Sequence, residues 1–402
     1  MAYKLFSTGE VLTAANVNSY LMNQTVMVFA SAAARTSALS GVLAEGMISY
    51  RTDSHILEYY DGTSWSSVST SIPTSYGFSA GKNKVINGDF GVWQRGTSIA
   101  VAASTIAYVA DRWNTNTGTN EATTISRQST SDTTNLPNIQ YCARFQRNSG
   151  QTGTGLYFLS QSLETATSIP FAGKTVTFSF YARAGANYSP TSNALGVYIY
   201  TGTGTDQNVL VSYTGQANTN TSVTLTTTWQ RFTFTTTIPS NATEISTLFG
   251  FTPTGTASTN DYFEVTGVQL EAGSTATAFQ TATGTVQGEL AACQRYYYRA
   301  TSSSSYGWVG SGIGYSTTTA AISTVLPVQM RVVPSAVEFS TLALNDGTNN
   351  TAVTTCTIDT NQTDYNTAVC NISAASGIVQ YRPYYIRMNA SASAYIGFTA
   401  EL

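Results

Sequence analysis

The sequence predicts a mainly β protein: a small α+β N-terminal module, then a jelly-roll β-sandwich and a C-terminal β-sandwich domain. Three observations carry that expectation. Apolar residues alternate with hydroxyl residues at a period of two, as in Thr175-Val-Thr-Phe-Ser-Phe-Tyr181, where Val176, Phe178 and Phe180 share one face. Turn residues punctuate these runs, and no helix-period stretch of useful length lies between them from Lys82 to about Thr281, which disfavours parallel βαβ folds. Finally, 25 Tyr, 17 Phe and 5 Trp offer the apolar area that a disordered chain lacks, although only 10% of residues are charged. At 402 residues the chain is long enough for two or three such domains.

Residues 1–70 read as the α+β module. Thr13 is placed to cap a helix, with Asn16 three residues on and Leu12 and Val17 at hydrophobic-staple positions. A helix is expected over roughly Ala14 to Gln24, with Val17, Tyr20 and Leu21 on one face, and the Ala-rich Ser31 to Leu39 adds a turn or two. Met47 to Tyr50 and Leu57 to Trp65 read as strands, the latter run turning at Asp61-Gly62, a two-residue hairpin signal. The module has few core residues, too few for an independent monomer, because small domains bury a smaller fraction of their surface. Ser66 to Gly81 is small, polar and broken by Pro73 and Gly77, and the linker is set at 71–81.

The jelly roll is expected over 82–285, its clearest strands at Thr175 to Tyr181, Gly196 to Tyr200, Gln230 to Thr235 and Thr247 to Phe251. Between Ala186 and Thr243 the only charges are Asp206 and Arg231, so hydroxyls and amides must hydrate this surface. Gln287 to Tyr296, with Leu290 and Cys293 spaced by three, supplies a short helical connector within 286–299. The C-terminal β domain, 300–402, shows six short strands: Thr318 to Leu326, Ala336 to Ser340, Ala352 to Ile358, Ala368 to Ile372, Tyr384 to Met388 and Ala394 to Phe398. No exact internal repeat supports a long β-helix.

A net charge of −3 exerts no long-range pull on nucleic acid or anionic lipid. The longest nearly apolar run, Val26 to Ala34, falls well short of the roughly 20 residues a membrane helix needs, so no membrane insertion is expected. The first residues lack the basic and apolar regions of a secretory signal, and the chain is expected to be finished in a cytoplasm. Cys142, Cys293, Cys356 and Cys370 show no Cys-x-x-Cys spacing. A hairpin around Asp359 to Asp364 could set Cys356 opposite Cys370, but a reducing compartment argues against a disulfide.

Catalytic constellations are thin. His55 is the one histidine, beside a hairpin in the N-terminal module, and any Ser-His-Asp or Cys-His arrangement would have to be built on it. Asp261 with Glu264, or Glu271, are the nearest pairs for glycoside hydrolysis, yet carboxylates in one strand segment more often form a solvated face or a turn cap. No catalytic residue, cofactor or metal site is assigned. Sugar binding needs aromatic faces and amide or hydroxyl partners. Tyr188, Tyr198, Tyr200 and Tyr213, set among Asn, Thr and Gly, could form such a platform, or could simply be core. Tyr306, Trp308 and Tyr315, with a Gly-rich run between them, could form an exposed tip loop. Trp93 and Trp113 read as core packing.

Two phrases bound the central domain: Lys82-Asn-Lys-Val-Ile-Asn-Gly-Asp-Phe-Gly-Val-Trp-Gln-Arg-Gly96, and Phe263-Glu-Val-Thr-Gly-Val-Gln-Leu-Glu-Ala-Gly273 followed by Glu289-Leu-Ala-Ala-Cys-Gln-Arg-Tyr-Tyr-Tyr-Arg299. They resemble the bounding strands of the sandwich domain in tailed-phage fibre and appendage proteins. Gly9-Glu-Val-Leu-Thr-Ala-Ala-Asn-Val-Asn-Ser-Tyr-Leu-Met-Asn23 with Glu45-Gly-Met resembles the N-terminal segment of phage fibre and minor tail proteins, and Leu326-Pro-Val-Gln-Met-Arg-Val-Val-Pro334 resembles a stretch of fibre tips. The resemblance implies a virion part: residues 1–70 docking on other virion proteins, a homotrimer, and a C-terminal tip touching a host cell-surface glycan. Weak contacts at several tips would add up to avidity. It leaves two rivals, a capsid-decorating fibre or minor tail protein without receptor contact, and a polysaccharide depolymerase; a free carbohydrate-binding module stands third. The sandwich also resembles carbohydrate-binding modules whose opening Asn-x-x-Phe and closing strand share a structural calcium ion. Here Asn87-Gly-Asp-Phe90 keeps the opening, but Thr266-Gly267 replaces the expected acidic pair, which removes hard ligands and leaves Asp89 to cap a turn.

Overall fold

The computed structural model describes residues 8–17, 26–68, 80–118, 122–136 and 138–402. The chain divides into two compact units, Met1–Gly77 and Phe78–Leu402. In the first, the Thr13 hydroxyl accepts from Asn16 N at 3.2 Å and starts α1 (Ala14–Asn16). Most of the remainder of the helix expected to Gln24 lies outside the described residues. Ser31 likewise caps α2 (Ala32–Ala38). The strands β1 (Val26–Phe29), β2 (Ile48–Arg51), β3 (Ile56–Tyr60) and β4 (Trp65–Ser67) form one sheet in that order, with β1 parallel to β2.

The β3–β4 connection corrects the two-residue turn expected at Asp61-Gly62. Tyr60 pairs with Trp65, so four residues form the loop. The Asp61 carboxylate accepts from the N–H groups of Thr63 and Ser64 at 2.8 and 2.6 Å, which winds the chain into an Asx-stabilised loop rather than a tight primed turn. One face of this sheet is polar and buried, with Arg35 ion-paired to Glu58 and lying 4.2 Å over the Trp65 ring. The other carries Val26, Val28, Ile48 and Tyr59, all exposed.

The second unit begins with the jelly roll. Its strands are β5 (Ser98–Val101), β6 (Ile106–Tyr108), β7 (Asn114–Asn116), β8 (Thr123–Ser129), β9 (Tyr141–Arg147), β10 (Tyr157–Ser162), β11 (Thr175–Ala184), β12 (Ala194–Gly202), β13 (Ala217–Thr224), β14 (Gln230–Thr237), β15 (Glu244–Phe251) and β16 (Tyr262–Ala272), with the one-turn α3 (Thr165–Ser168) between β10 and β11. They form two six-stranded sheets, β13-β12-β15-β10-β7-β6 and β14-β11-β16-β9-β8-β5. The period-2 pattern is what closes them face to face. Val176, Phe178 and Phe180 from β11 meet Val197 and Ile199 from β12 and Phe249 from β15 in one apolar core, which Trp93 and Trp113 complete. The Trp113 indole donates to Asn87 O at 3.1 Å, so its polar edge is satisfied inside that core.

The C-terminal sandwich follows α4 (Val286–Gln294). Its strands are β17 (Tyr297–Thr301), β18 (Trp308–Gly314), β19 (Thr319–Val325), β20 (Ala336–Ser340), β21 (Leu342–Asn345), β22 (Asn350–Ala352), β23 (Thr355–Ile358), β24 (Thr367–Ser373), β25 (Pro383–Met388) and β26 (Tyr395–Thr399). They make sheets of order β17-β26-β20 and β22-β21-β25-β18-β19-β24-β23 around a second core that includes Ile322, Leu344, Tyr384, Ile386 and Phe398. The Gly-rich run expected as a loop is the central strand β18. Glycine is required there because a Cβ on Gly312 would stand 1.8 Å from Ala321 O on the neighbouring strand. Cys356 and Cys370 are buried free thiols, placed diagonally across β23 and β24 because Cys356 pairs with Ile372 and Cys370 with Ile358. Hydrogen bonding to Cys356, with burial, pushes the Cys370 thiol up.

The two sandwiches are welded by charge. Glu401 accepts from Arg112 at 2.6 Å and from Arg95 at 3.3 Å. Arg112 also donates to Ser162 O at 2.7 Å and lies 3.5 Å over Tyr296, while Arg95 lies 3.5 Å over Tyr297. Arg331 donates to Ala400 O and Glu401 O and meets Asp206 at 3.1 Å. Residues of the Cys-Gln-Arg-Tyr-Tyr-Tyr-Arg phrase and of the Leu326 to Pro334 phrase therefore meet at one junction.

Candidate functional site

The outer face of the β13-β12-β15-β10 sheet carries a groove of about 380 Å³, lined among others by Tyr198, Asn220, Ser222, Gly250, Thr252 and Thr254. Strand parity builds it. Leu195, Val197 and Ile199 of β12 turn into the core, so Gly196, Tyr198 and Tyr200 turn out; their cross-strand partners on β13 are Ser222, Asn220 and Asn218. Gly196 pairs with Gly250 on β15. A Cβ on Gly196 would stand 2.7 Å from the Tyr198 ring, and one on Gly250 would stand 3.2 Å from it. Two facing glycines thus let the Tyr198 ring lie across the sheet instead of standing upright. Tyr200 follows at 5.9 Å between ring centres, tilted by 30°. The Asn220 amide donates to Asn218 Oδ1 at 2.9 Å on the exposed rim. Among the described residues, none that lines the groove is charged.

Tyr188 and Tyr213 are not part of this surface. Tyr188 belongs to the sandwich core, where its hydroxyl donates to Ala194 O at 3.1 Å and burial pushes its phenol well above the usual value. Tyr213 is buried with Val209 and Leu248, beneath the 203–216 connection that covers the other half of the same outer face. Both corrections have one cause: a tyrosine in a loop that folds back onto a sheet reads in sequence like a tyrosine that projects.

The C-terminal sheet holds a second aromatic surface. Trp308, 61% exposed, stacks on Tyr385 with ring centres 4.1 Å apart and planes 7° apart. Tyr306, also exposed, lies under the Arg387 guanidinium at 4.9 Å. Tyr315 is exposed in the turn after β18, seven residues from Trp308 and so about 23 Å away at the strand rise. The structure brings Tyr306 and Trp308 together and leaves Tyr315 apart. Tyr385 was legible only as a strand residue; its outward parity, opposite to buried Tyr384 and Ile386, is the signal that places it.

The carboxylates considered for hydrolysis are each committed. Asp261 pairs with Arg147 at 2.7 Å, both fully buried, and accepts from Ser189 N. Glu264 sits between Arg144 and Arg183, each at 2.6 Å. Burial pushes Glu271 up, but hydrogen bonds from Thr277, Gln269 and Lys82 outweigh it and hold the group below its ordinary value. His55 Nδ1 lies 3.1 Å from the Tyr50 hydroxyl.

Among the described residues no group of three or more His, Cys, Asp or Glu side chains converges on a point where a metal ion could sit. Asn87 spends its side chain on Val92 and Asp111 O, and Asp89 Oδ1 accepts from Gly91 N at 3.3 Å, a turn cap. Gly267 has a structural role instead: at φ +59° it forms the bulge where the β11–β16 register shifts between Ser179 and Tyr181.

No protein family matches the chain, and no curated protein does. Solved structures overlap it in part. A CBM4 structure is 19% identical, covering 46% of this chain and 98% of its own, with a TM-score of 0.27. TmCBM61 in complex with β-1,4-galactotriose is 11% identical, covering 48% and 99%, with a TM-score of 0.28. The enzymatically active domain of bacteriophage CBA120 tailspike protein 4 is 10% identical, covering 48% and 21%, with a TM-score of 0.28.

Proposed function

We propose that this chain is a structural part of a tailed-phage virion, a fibre or spike that adheres to host surface glycans without breaking them. The observation that carries the binding half is the uncharged groove in which the Tyr198 ring lies across Gly196 and Gly250 beside Asn220 and Ser222. An aromatic face covers the C–H side of a pyranose ring, while neighbouring amides and hydroxyls replace the water around its hydroxyls. Absence of charge in the groove suits a neutral sugar, since a fixed ion would need desolvating for no return.

The virion half rests on the sequence phrases. Residues 1–70 would dock on other virion proteins, and the exposed Val26, Val28, Ile48 and Tyr59 face supports burial against two further copies in a homotrimer. A passive role is favoured because Asp261, Glu264 and Glu271 are each held by a cation rather than facing one another across an open cleft.

The test is calorimetric titration of the full chain with neutral oligosaccharides. Tyr198→Ala is expected to weaken binding on the order of tenfold, from the loss of a stacked apolar face. Unchanged affinity in that variant overturns the groove. Release of oligosaccharides from purified polysaccharide, abolished by neutralising one acidic side chain, overturns the passive role.

A further inference from the structure

Arg387 on β25 pairs with Trp308 on β18. Every other arginine donates a hydrogen bond to a carboxylate, a carbonyl or a hydroxyl. Arg387 donates none among the described residues: its Nε is buried without a partner, and its guanidinium lies over the Tyr306 ring. Arg382, just before that strand, is neutralised by Asp346 at 2.6 Å, so Arg387 is the cation left over on this part of the sheet.

An aromatic face attracts a guanidinium but fills none of its N–H donors. Those donors are arranged as a planar fork that matches a carboxylate. Beside them the Trp308–Tyr385 stack offers a flat, exposed ring. An uncompensated fork next to an exposed ring face fits a sugar ring that carries an acid group.

We propose that Arg387, Trp308, Tyr385 and Tyr306 form a second binding site, for a carboxylate-bearing sugar such as a uronic or sialic acid. This deepens the glycan-binding reading and rests on it, but it uses a different sandwich and a different ligand charge from the Tyr198 groove. The ring of the sugar would stack on Trp308, and its carboxylate would accept from Arg387.

The full chain is titrated with oligogalacturonate, hyaluronan fragments and sialyllactose, each beside its carboxyl-reduced counterpart, with poly-glutamate as a peptide control. At least one acidic sugar is expected to bind more tightly than its reduced form. Arg387→Gln should weaken that binding about tenfold, the worth of a charge-assisted hydrogen bond. Arg387→Lys should recover part of it, and Trp308→Ala, at an exposed position that folding does not need, should lose it; Tyr198→Ala should leave it unchanged. The site is refuted if no acidic sugar outbinds its reduced form, if Arg387→Gln and Trp308→Ala both bind as the wild type does, or if poly-glutamate binds as tightly as the sugars. Neutral oligosaccharides held through Tyr198 with no acidic binding would sink this site alone. Acidic sugars held through Arg387 with no neutral binding would sink the groove and leave this site standing.

Discussion

Gly267 shows how one residue type answers two questions at once. The pair Thr266-Gly267 departs from the acidic pair that a calcium-bearing sandwich would carry, and the structure gives the reason for the glycine: at φ +59° it turns the β16 strand through a bulge. A Cβ there would also stand 2.8 Å from the Tyr181 ring. Gly267→Ala is therefore expected to cost about 2 kcal/mol or more, from left-handed strain plus overpacking, read as a lowered midpoint in urea unfolding of the full chain. Tyr198 and Tyr200 could be placed on one strand face from parity, but that this face points outward was decided by Leu195, Val197 and Ile199 packing into the core shared with the other sheet. Tyr188 and Tyr213 carried no parity signal, because each sits in a connection whose path is set by the sheet it folds against.

At the scale of elements, the helix at Val286–Gln294 was legible from its spacing, but its role was not. Glu289, buried on that helix, accepts from Asn87 N at 2.8 Å and Thr283 N at 2.7 Å, so it ties the jelly roll's opening phrase to the junction. The strand that follows, Tyr297–Thr301, pairs with β26 near the end of the chain. Nothing in a local window announces a partner about a hundred residues away. The weld makes a prediction: Glu401→Ala leaves Arg112 buried without its carboxylate, and the cost should be about 3 kcal/mol or more. Differential scanning calorimetry would show a lower midpoint or a separate early transition, and an unaltered trace would dismiss the junction as a stabilising contact.

For the whole molecule the acid response follows from two opposed sets of carboxyls. Burial raises Asp89, Asp111, Glu244 and Glu289 above their ordinary values. Each is easier to protonate when folded, so its penalty at neutral pH is relieved as pH falls through its raised folded value. Buried Glu271 and partly exposed Glu338 are also pushed up by desolvation, but hydrogen bonds to their charged forms win and lower them. Their stabilisation is present above the ordinary carboxylate range of about 4 and is lost as pH drops through their depressed folded values. Thermal midpoints should therefore rise as pH falls from neutrality toward the ordinary carboxylate range of about 4 and drop below it; a monotonic decline from neutrality would contradict this balance.

Alternation of apolar and hydroxyl residues, turn punctuation and aromatic content were enough to determine a β-sandwich protein with a small α+β start, because side-chain parity and turn chemistry are local properties of the chain. Which tyrosines face solvent, which arginine is left unpaired, and how two sandwiches are joined through Glu401 were settled by the fold alone. Those outcomes depend on strand neighbours far apart in sequence, and a residue's exposure or charge partner is a property of the neighbour as much as of the residue.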